Sequence, residues 1–364
     1  VNQFGGVSHN AFDYSLAPYV ALEFKRQYSN SMSDALLVMS NTFDSGEREK
    51  LKEFYSETEK HYHLCPKMDM QDEFIERERE YLRDNYDMSA QQLNSLQSKV
   101  YDLAYHKTDS LTHEAMVSMT SNVSTMTARA AGQVVFASVN LGTDISAEGR
   151  MVTRQLLLAM DEGLGHGETC IFPIVVFKLK AGVSYEPEDP NYDLFKLACR
   201  VSAKRLYPNF VNLDASYNKK YLVPGKVETE IATMGCRTRT ISNVYDPDHE
   251  QVAGRGNLFF VTINLPRLAI EADHDIDKFY DLLADELQLC LEHLFTRFEI
   301  LADLTAEEIP FHMLQGGWLG ADHLKPTDKI REVLKHGSMS IGFVGLAETL
   351  VALIGKHHGE SPLA

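Results

Sequence analysis

The chain has 364 residues, with 35 Lys and Arg against 52 Asp and Glu, so its formal net charge is −17. This charge argues against nucleic-acid binding as the main function, because contacts with a phosphate backbone depend on clustered Lys and Arg. With 44% hydrophobic and 24% charged residues, the composition is globular and excludes disordered and collagen-like chains. The sequence shows neither a membrane-spanning apolar run nor a signal peptide, so we expect a cytoplasmic protein that does not bind membranes.

The cysteines are few, odd in number and widely spaced, which is typical of reduced thiols rather than of a disulfide framework. They are Cys65, Cys170, Cys199, Cys236 and Cys290. Because they form neither a CxxC pair nor a Cys/His cluster, we expect no metal site in this segment. The chain begins without Met and ends without a terminating signal, so we expect a fragment of a longer protein.

Residues 46–132 follow a segment that mixes aromatic and small polar residues, and they are predicted to be largely helical. Glu73–Leu82 spaces its few apolar residues as an exposed helix does. Over residues 133–364, short apolar runs alternate with helical patterns, which predicts an α/β fold with parallel strands covered by helices. No linker or repeat interrupts the chain, so we expect one compact domain over residues 1–364.

The predicted strands of this second region are Val134–Leu141, Ile171–Leu179, Phe210–Leu213, Leu258–Ile263 and Met339–Val344. The predicted helices between and after them are Ala147–Met160, Tyr192–Arg205, Ile276–Leu301 and Leu346–Ile354.

Cys236 lies between Gly235 and Arg237, in a polar stretch between two strands where a packing thiol is not usual. Glycine permits a tight turn, and the guanidinium of Arg237 would favour a thiolate or hold an anionic substrate. From spacing alone, the alternative that Cys236 is a small buried apolar residue stays open.

Four motifs in this region closely resemble the anaerobic, class III ribonucleoside-triphosphate reductases, which are glycyl radical enzymes. The motifs are Met234-Gly-Cys-Arg237, Gly254-Arg-Gly-Asn257, Val261-Thr-Ile-Asn-Leu-Pro-Arg267 and the run from Gly337 to Glu348. Further echoes, among them Leu16-Ala-Pro-Tyr-Val20 and Ala203-Lys-Arg-Leu-Tyr-Pro208, extend the resemblance over nearly the whole chain in order.

The resemblance implies a ten-stranded α/β barrel with a central finger loop, here at about residues 231–245, that carries Cys236 at its tip. It implies that Cys236 becomes a thiyl radical and abstracts the 3′-hydrogen of the ribose. The glycyl radical and the zinc-binding cysteines of the family belong to a C-terminal region absent here, so the fragment alone is expected to be inactive.

Other site residues follow from the same resemblance. Asn257 aligns with an asparagine that binds the ribose hydroxyls, although a turn residue is the alternative from the sequence alone. Ser338, Ser340 and Gly342 would hold the triphosphate near a helix N-terminus, or else only permit tight strand packing. Ser138 and Asn140 are weaker substrate-binding candidates, because they also fit alternating strand positions that face a polar interior.

The resemblance implies ribonucleoside triphosphates as substrates, formate as the reductant in preference to a thioredoxin-type protein, a radical-SAM activating enzyme and a homodimer. Two alternatives remain from the sequence: another glycyl radical enzyme of the pyruvate formate-lyase type, and a non-catalytic nucleotide-binding domain in which Cys236 only packs. The first is disfavoured because those enzymes place two adjacent cysteines at the loop tip.

Overall fold

A computed structural model describes residues 6–39, 44–126, 134, 136–235, 238–239 and 241–362. The chain divides into two compact units. Unit 1 comprises residues 1–222 and 232–238, and unit 2 comprises residues 223–231 and 239–364. The division into units does not test the expectation of a single domain, which stays a prediction.

After a short first strand, unit 1 continues with a helical region. Its helices are α1 (Phe12–Met39), α2 (Ser45–Tyr62), α3 (Asp72–Asn85) and α4 (Ala90–Thr125). Side-chain caps set two of the starts, since Asp44 accepts from the N–H groups of Gly46 and Glu47, and Ser89 forms a capping box with Gln92. Long, capped helices therefore occupy most of the region that the sequence predicts to be helical.

A buried carboxyl group links the helices of this region. Glu78 of α3 is fully buried and accepts hydrogen bonds from the hydroxyls of Tyr28 (2.7 Å) and Tyr55 (2.5 Å) and from Nε2 of Gln97 (2.8 Å). Burial raises the pKa of Glu78 above its ordinary value, while the three donors act in the opposite direction. We call these four side chains the Glu78 cluster; they join α1, α2, α3 and α4 inside the apolar core.

The sheet of unit 1 has four parallel strands in the order β1-β2-β3-β4. The strands are β1 (Val7–His9), β2 (Ala137–Leu141), β3 (Ile174–Leu179) and β4 (Asn209–Asn212). The connecting and following helices are α5 (Ala147–Glu162), α6 (Tyr192–Arg205) and α7 (Ser216–Lys219). Val139 and Leu141 enter a core shared with α1, α4, α5 and α6, so helices cover one face of the sheet.

Two short strands follow, β5 (Thr233–Met234) and β6 (Thr238–Arg239), on either side of residues 236–237. Unit 2 then contains β7 (Asn257–Asn264) and β8 (Ser338–Val344), which pair in parallel. Its helices are α8 (Leu265–Ala272), α9 (Ile276–Ala302), α10 (Pro310–Met313), α11 (Arg331–Leu334) and α12 (Leu346–Ile354). Ile263 of β7 packs with Leu268 of α8 and Phe279 of α9 in an apolar core.

The parallel α/β arrangement agrees with the sequence prediction at the level of fold class. Within the described ranges, however, the parallel strands form one four-stranded and one two-stranded sheet, so the ten-stranded barrel is not seen as such. None of the helices in the described part of the chain combines the length and the apolar character needed to cross a bilayer.

Candidate functional site

One face of the unit 1 sheet is polar. Because side chains alternate along a strand, Ser138 and Asn140 point away from the core that receives Val139 and Leu141. Ser8 lies beside Ser138, since the two residues are direct partners in the parallel pair of β1 and β2. We call Ser8, Ser138 and Asn140 the polar face; the last two side chains are almost completely shielded from solvent.

The chain segment 233–235, here called the incoming limb, is bonded to the polar face. The N–H of Thr233 donates to Oδ1 of Asn140 (2.9 Å), and the carbonyl of Thr233 accepts from Nδ2 of Asn140 (3.0 Å) and from Oγ of Ser8 (2.7 Å). Two residues later, the N–H of Gly235 donates to Oγ of Ser138 (3.0 Å). Each bond joins a side chain of the sheet to the backbone of the limb.

Gly235 fits its place because it has no side chain. Its φ of +63° lies in the left-handed region, and a Cβ atom there would be 2.7 Å from the ring of Phe136. The aromatic ring of Phe136 in turn packs against Phe172, with ring centroids 5.0 Å apart. Backbone conformation and close approach therefore both require glycine immediately before Cys236.

Cys236 and Arg237 lie outside the described residues, so the roles that the sequence predicts for them stay predictions. Of the expected finger loop at residues 231–245, the structure describes all but positions 236, 237 and 240. Among the described residues, it shows no group of three His, Cys, Asp or Glu side chains able to hold a metal ion.

Unit 2 brings three of the predicted site residues together. In the pair of β7 and β8, Asn257 is opposite Ser338, and Phe260 is opposite Ser340. The register shifts between Asn257 and Phe259, so Leu258 is the extra residue of a β-bulge. The bulge turns Asn257 to the face that carries Ser338 and Ser340.

The opposite face of this strand pair is covered by α9. The guanidinium of Arg297 lies 4.5 Å from the centre of the Phe259 ring, and Val261 packs in the unit 2 core. Gly342 is opposite Thr262 and is half-buried, as are Asn257, Ser338 and Ser340. The face away from α9 therefore carries Asn257, Ser338, Ser340 and Gly342 together with the exposed aromatic ring of Phe260.

The amide of Asn257 belongs to a local network. Its surroundings favour the orientation in which Nδ2 donates to the carbonyls of Ser338 (2.8 Å) and Phe259 (3.0 Å). The hydroxyl of Ser340 is 3.5 Å from the same end of the amide. Asn257 therefore stabilises the bulge, and it does so beside the two serines predicted to bind substrate.

The helix that follows Ser338 and Ser340 along the chain begins well beyond them, while the triphosphate binding expected of the two serines stays a prediction. Both serines lie in β8, whereas α12 begins at Leu346, beyond the other end of that strand. Four residues of strand follow Ser340 before β8 ends at Val344, a span of roughly 13 Å at 3.3 Å per residue, and Gly345 then precedes Leu346. The N–H of Ser338 also donates to the carbonyl of Gly256 (2.9 Å), so this N–H is already bonded. The hydroxyl groups of Ser338 and Ser340 are therefore the candidate phosphate ligands.

Arg255 is a structural residue of this site that the sequence reasoning did not single out. Its side chain is only 3% exposed, with Nε donating to the carbonyl of His336 (2.7 Å) and Nη1 to that of Gln251 (3.1 Å). Desolvation lowers the pKa of Arg255, and Glu250 at 3.8 Å acts against this. Arg255 thus joins the segment just before Asn257 to the segment just before Ser338. In the sequence, its position between Gly254 and Gly256 was the feature that could have drawn attention to it.

Comparisons with known proteins agree on one family. The family model for anaerobic ribonucleoside-triphosphate reductase matches residues 1–364. Two curated relatives bear the same name: the protein of Salmonella typhimurium is 34% identical over 260 residues, 70% of this chain and 35% of its own length, and that of phage T4 is 32% identical over 281 residues, 75% and 44%. The chain thus spans about a third to less than half of these relatives.

A solved structure, the anaerobic ribonucleotide reductase from Thermotoga maritima with citrate in the active site, is 13% identical. The match covers 92% of this chain and 64% of that one, with a TM-score of 0.38.

Proposed function

Because the chain belongs to the anaerobic ribonucleoside-triphosphate reductase family, we propose that it carries part of the active site of an enzyme that reduces ribonucleoside triphosphates to deoxyribonucleoside triphosphates. The product would serve as a precursor for DNA synthesis. The observation that carries this proposal is the family match over all 364 positions. The anchored limb before Cys236 and the polar strand pair around Asn257 support it.

In this proposal the sulfur of Cys236, as a thiyl radical, takes the 3′-hydrogen of the ribose, so an S–H bond forms as a C–H bond breaks. The 2′-hydroxyl then leaves as water. A glycyl radical of the full-length protein would supply the oxidising equivalent for the thiyl. The incoming limb suits such chemistry because Thr233 and Gly235 are buried, and the reaction requires exclusion of water.

Substrate binding is proposed for the face of β7 and β8 that points away from α9. Asn257 would orient the ribose hydroxyls, while the hydroxyls of Ser338 and Ser340 would bind the triphosphate, with Gly342 leaving room beside them. Arg237 is proposed to hold an anionic substrate through its guanidinium. The support for this assignment is that the bulge places Asn257 on the face of both serines.

The reductant is proposed to be formate. Its oxidation to CO₂ releases two electrons, which with protons replace the 2′-hydroxyl by hydrogen and give water. The family resemblance at Asn257 supports formate over a thioredoxin-type protein. A radical-SAM activating enzyme would form the glycyl radical, and the working enzyme is proposed to be a homodimer.

We also propose that the full-length protein forms the ten-stranded α/β barrel that the family resemblance implies. The support is that every pair within the four-stranded sheet, and the pair of β7 and β8, is parallel.

The test is Cys236→Ser in the full-length protein, activated without oxygen. Serine should leave folding intact and abolish reduction, because its O–H bond is too strong for the hydrogen to be exchanged with the ribose. Deoxyribonucleotide formation is measured by chromatography and the glycyl radical by electron paramagnetic resonance. Cys199→Ser is the matched control, since Cys199 is an exposed thiol on α6.

We expect Cys199→Ser to keep wild-type turnover. Turnover by Cys236→Ser at the wild-type rate would contradict the role of this sulfur. Failure of the activated wild-type protein to reduce any ribonucleoside triphosphate, while still binding it, would favour the non-catalytic nucleotide-binding alternative.

A further inference from the structure

We propose that Asn140, assisted by Ser138 and Ser8, is a positioning residue that holds the incoming limb and thereby places Cys236, instead of contacting substrate. This inference rests on the proposed function, because it assigns roles around the same cysteine. It replaces the substrate-binding role that the sequence suggested for Ser138 and Asn140 with a different one.

The amide of Asn140 already uses both of its N–H donors within the protein. A carboxamide offers two N–H donors and one acceptor oxygen. Nδ2 of Asn140 lies within hydrogen-bonding distance of Thr233 O (3.0 Å), His9 O (3.1 Å) and Ser8 Oγ (3.3 Å), and Oδ1 accepts from Thr233 N. Oδ1 keeps a second lone pair, but Asn140 is 0% exposed, so a ribose hydroxyl could reach it only if the residues that cover it moved away.

The bonds from β2 imitate the pairing of a β-strand. Asn140 binds the backbone at Thr233, and Ser138 binds it at Gly235. The residues on each segment are two positions apart, and the residue numbers rise along one segment as they fall along the other. Alternate pairing in opposite order is the pattern of an antiparallel ladder. Here side chains supply it, and they bind both the N–H and the carbonyl of Thr233, which fixes the direction of the limb as well as its distance.

This arrangement places the anchors next to the reacting group. Gly235 is bonded directly to residue 236 along the chain, so the place where Gly235 is held limits where the next residue can lie. On the other side, the ring of Phe136 would be 2.7 Å from any Cβ at position 235, which limits the limb from that direction. Hydrogen transfer needs atoms about 3–3.5 Å apart, and a misplacement near 1 Å costs roughly 10²-fold in rate.

The experiment uses Asn140→Ala in the full-length, activated protein with three measurements. Hydrogen exchange of the Thr233 and Gly235 amides reports the anchors, steady-state kinetics separate kcat from KM, and electron paramagnetic resonance gives the glycyl radical content. We expect exchange at Thr233 to rise by about tenfold or more, since its acceptor is removed. We expect kcat to fall by roughly 10²-fold, with KM and radical content near wild type.

Asn191→Ala is the matched control. Asn191 is also fully buried, and its Nδ2 donates to the carbonyls of Gly142 (3.0 Å) and Asp144 (2.9 Å), so it holds the loop that follows β2, and neither of these two bonds involves residues 233–235. This variant should leave exchange at Thr233 and Gly235 unchanged and kcat within about threefold of wild type. A general loss of stability would lower both variants alike.

Ser138→Ala is the milder second variant in case Asn140→Ala does not fold. It removes only the acceptor of the Gly235 N–H, so exchange should rise at Gly235 alone and kcat should fall by about tenfold.

The opposite results overturn the proposal. A raised KM for the ribonucleoside triphosphate with unchanged kcat would show that Asn140 binds substrate. Unchanged exchange at Thr233 in Asn140→Ala, or at Gly235 in Ser138→Ala, would show that the limb is held by something else. If exchange rises as expected in a protein whose wild type reduces no ribonucleotide, the anchors stand and the proposed function fails.

Discussion

The polar face of unit 1 and the surface around Asn257 in unit 2 carry similar residues, but the hydrogen bonds of these residues go to different partners. In unit 1, Asn140 and Ser138 are almost fully buried, and the backbone of a segment 93 to 97 residues away takes up their hydrogen bonds. In unit 2, Asn257 and Ser340 are half-buried and bond within their own strand pair. The first arrangement holds a segment in place, whereas the second leaves polar side chains where a ligand can meet them.

The largest expected effect, on the unit 1 side of this comparison, is that of Gly235→Ala. The substitution combines a left-handed φ with a clash against Phe136, so the free energy of unfolding should fall by about 4 kcal/mol. Denaturant unfolding measures it. Gly182→Ala is the control, because Gly182 has φ +74° with no atom within 4 Å of a Cβ, and should cost about 1–2 kcal/mol.

Equal losses for the two glycine variants would show that Phe136 yields without cost, and the limb would then be less constrained than its contacts indicate.

On the unit 2 side, Asn257→Ala should act on activity more than on folding. Loss of one substrate hydrogen bond in the transition state should lower kcat by roughly 10²-fold in the full-length enzyme. The glycyl radical content should stay at the wild-type level. A loss of that radical signal together with a lower unfolding free energy would assign Asn257 to stabilising the bulge alone.

The next effect concerns the loop before Asn257. Arg255→Lys replaces a fork that reaches two carbonyls by a single ammonium, and should lower the free energy of unfolding by about 2 kcal/mol. Arg267→Lys is the control on α8, where the side chain is 66% exposed and pairs with Glu271, and it should cost less than about 0.5 kcal/mol. Similar results for both arginines would remove Arg255 from the architecture of the site.

The smallest expected effect is the pH dependence of stability that comes from Glu78. This buried polar group joins helices and holds no loop, so it serves as a contrast to Asn140. Because burial raises the pKa of Glu78, the folded protein binds this proton more tightly than the unfolded chain does. The resulting stability is complete below the ordinary pKa of 4.5 and is lost as the pH rises through the folded value. Relative to Glu78→Gln, which cannot titrate, the wild type should therefore lose unfolding free energy with rising pH.

Urea unfolding from pH 4.5 upwards measures the difference. Glu49→Gln is the control, because it removes one carboxylate at an exposed position of α2 and leaves the Glu78 cluster unchanged. The kcat of Glu78→Gln should match wild type. A large fall in kcat would break the distinction between polar groups that join helices and polar groups that place a loop.

Local sequence patterns were sufficient for many elements. The helices Tyr192–Arg205 and Leu346–Ile354 begin and end where their apolar spacing predicts. β3 begins at Ile174 instead of the predicted Ile171, because Pro173 between them has no N–H for the sheet. Helix α1 was not predicted: Pro18 and many small polar residues obscure it, although its buried residues Phe24, Tyr28 and Met32 recur every four positions.

The candidate site was less accessible to sequence reasoning. Asn257, Ser338 and Ser340 were named through the family resemblance, but alternation alone would place Asn257 with Phe259, and only the bulge reverses this. Likewise, nothing local in β2 indicates that Asn140 binds the backbone of Thr233, since that partner is 93 residues away. Hydrogen bonds between distant segments depend on the tertiary fold.

The polar face has a consequence for the order of folding. Thr233 is 225 positions from Ser8 and 93 from Asn140, so forming the limb's anchors closes two large loops. Such closures are entropically costly and slow, and they succeed once intervening segments are already compact. The helical region and the central strands should therefore assemble first, and the stretch that presents Cys236 should be among the last parts of the chain to reach its final position.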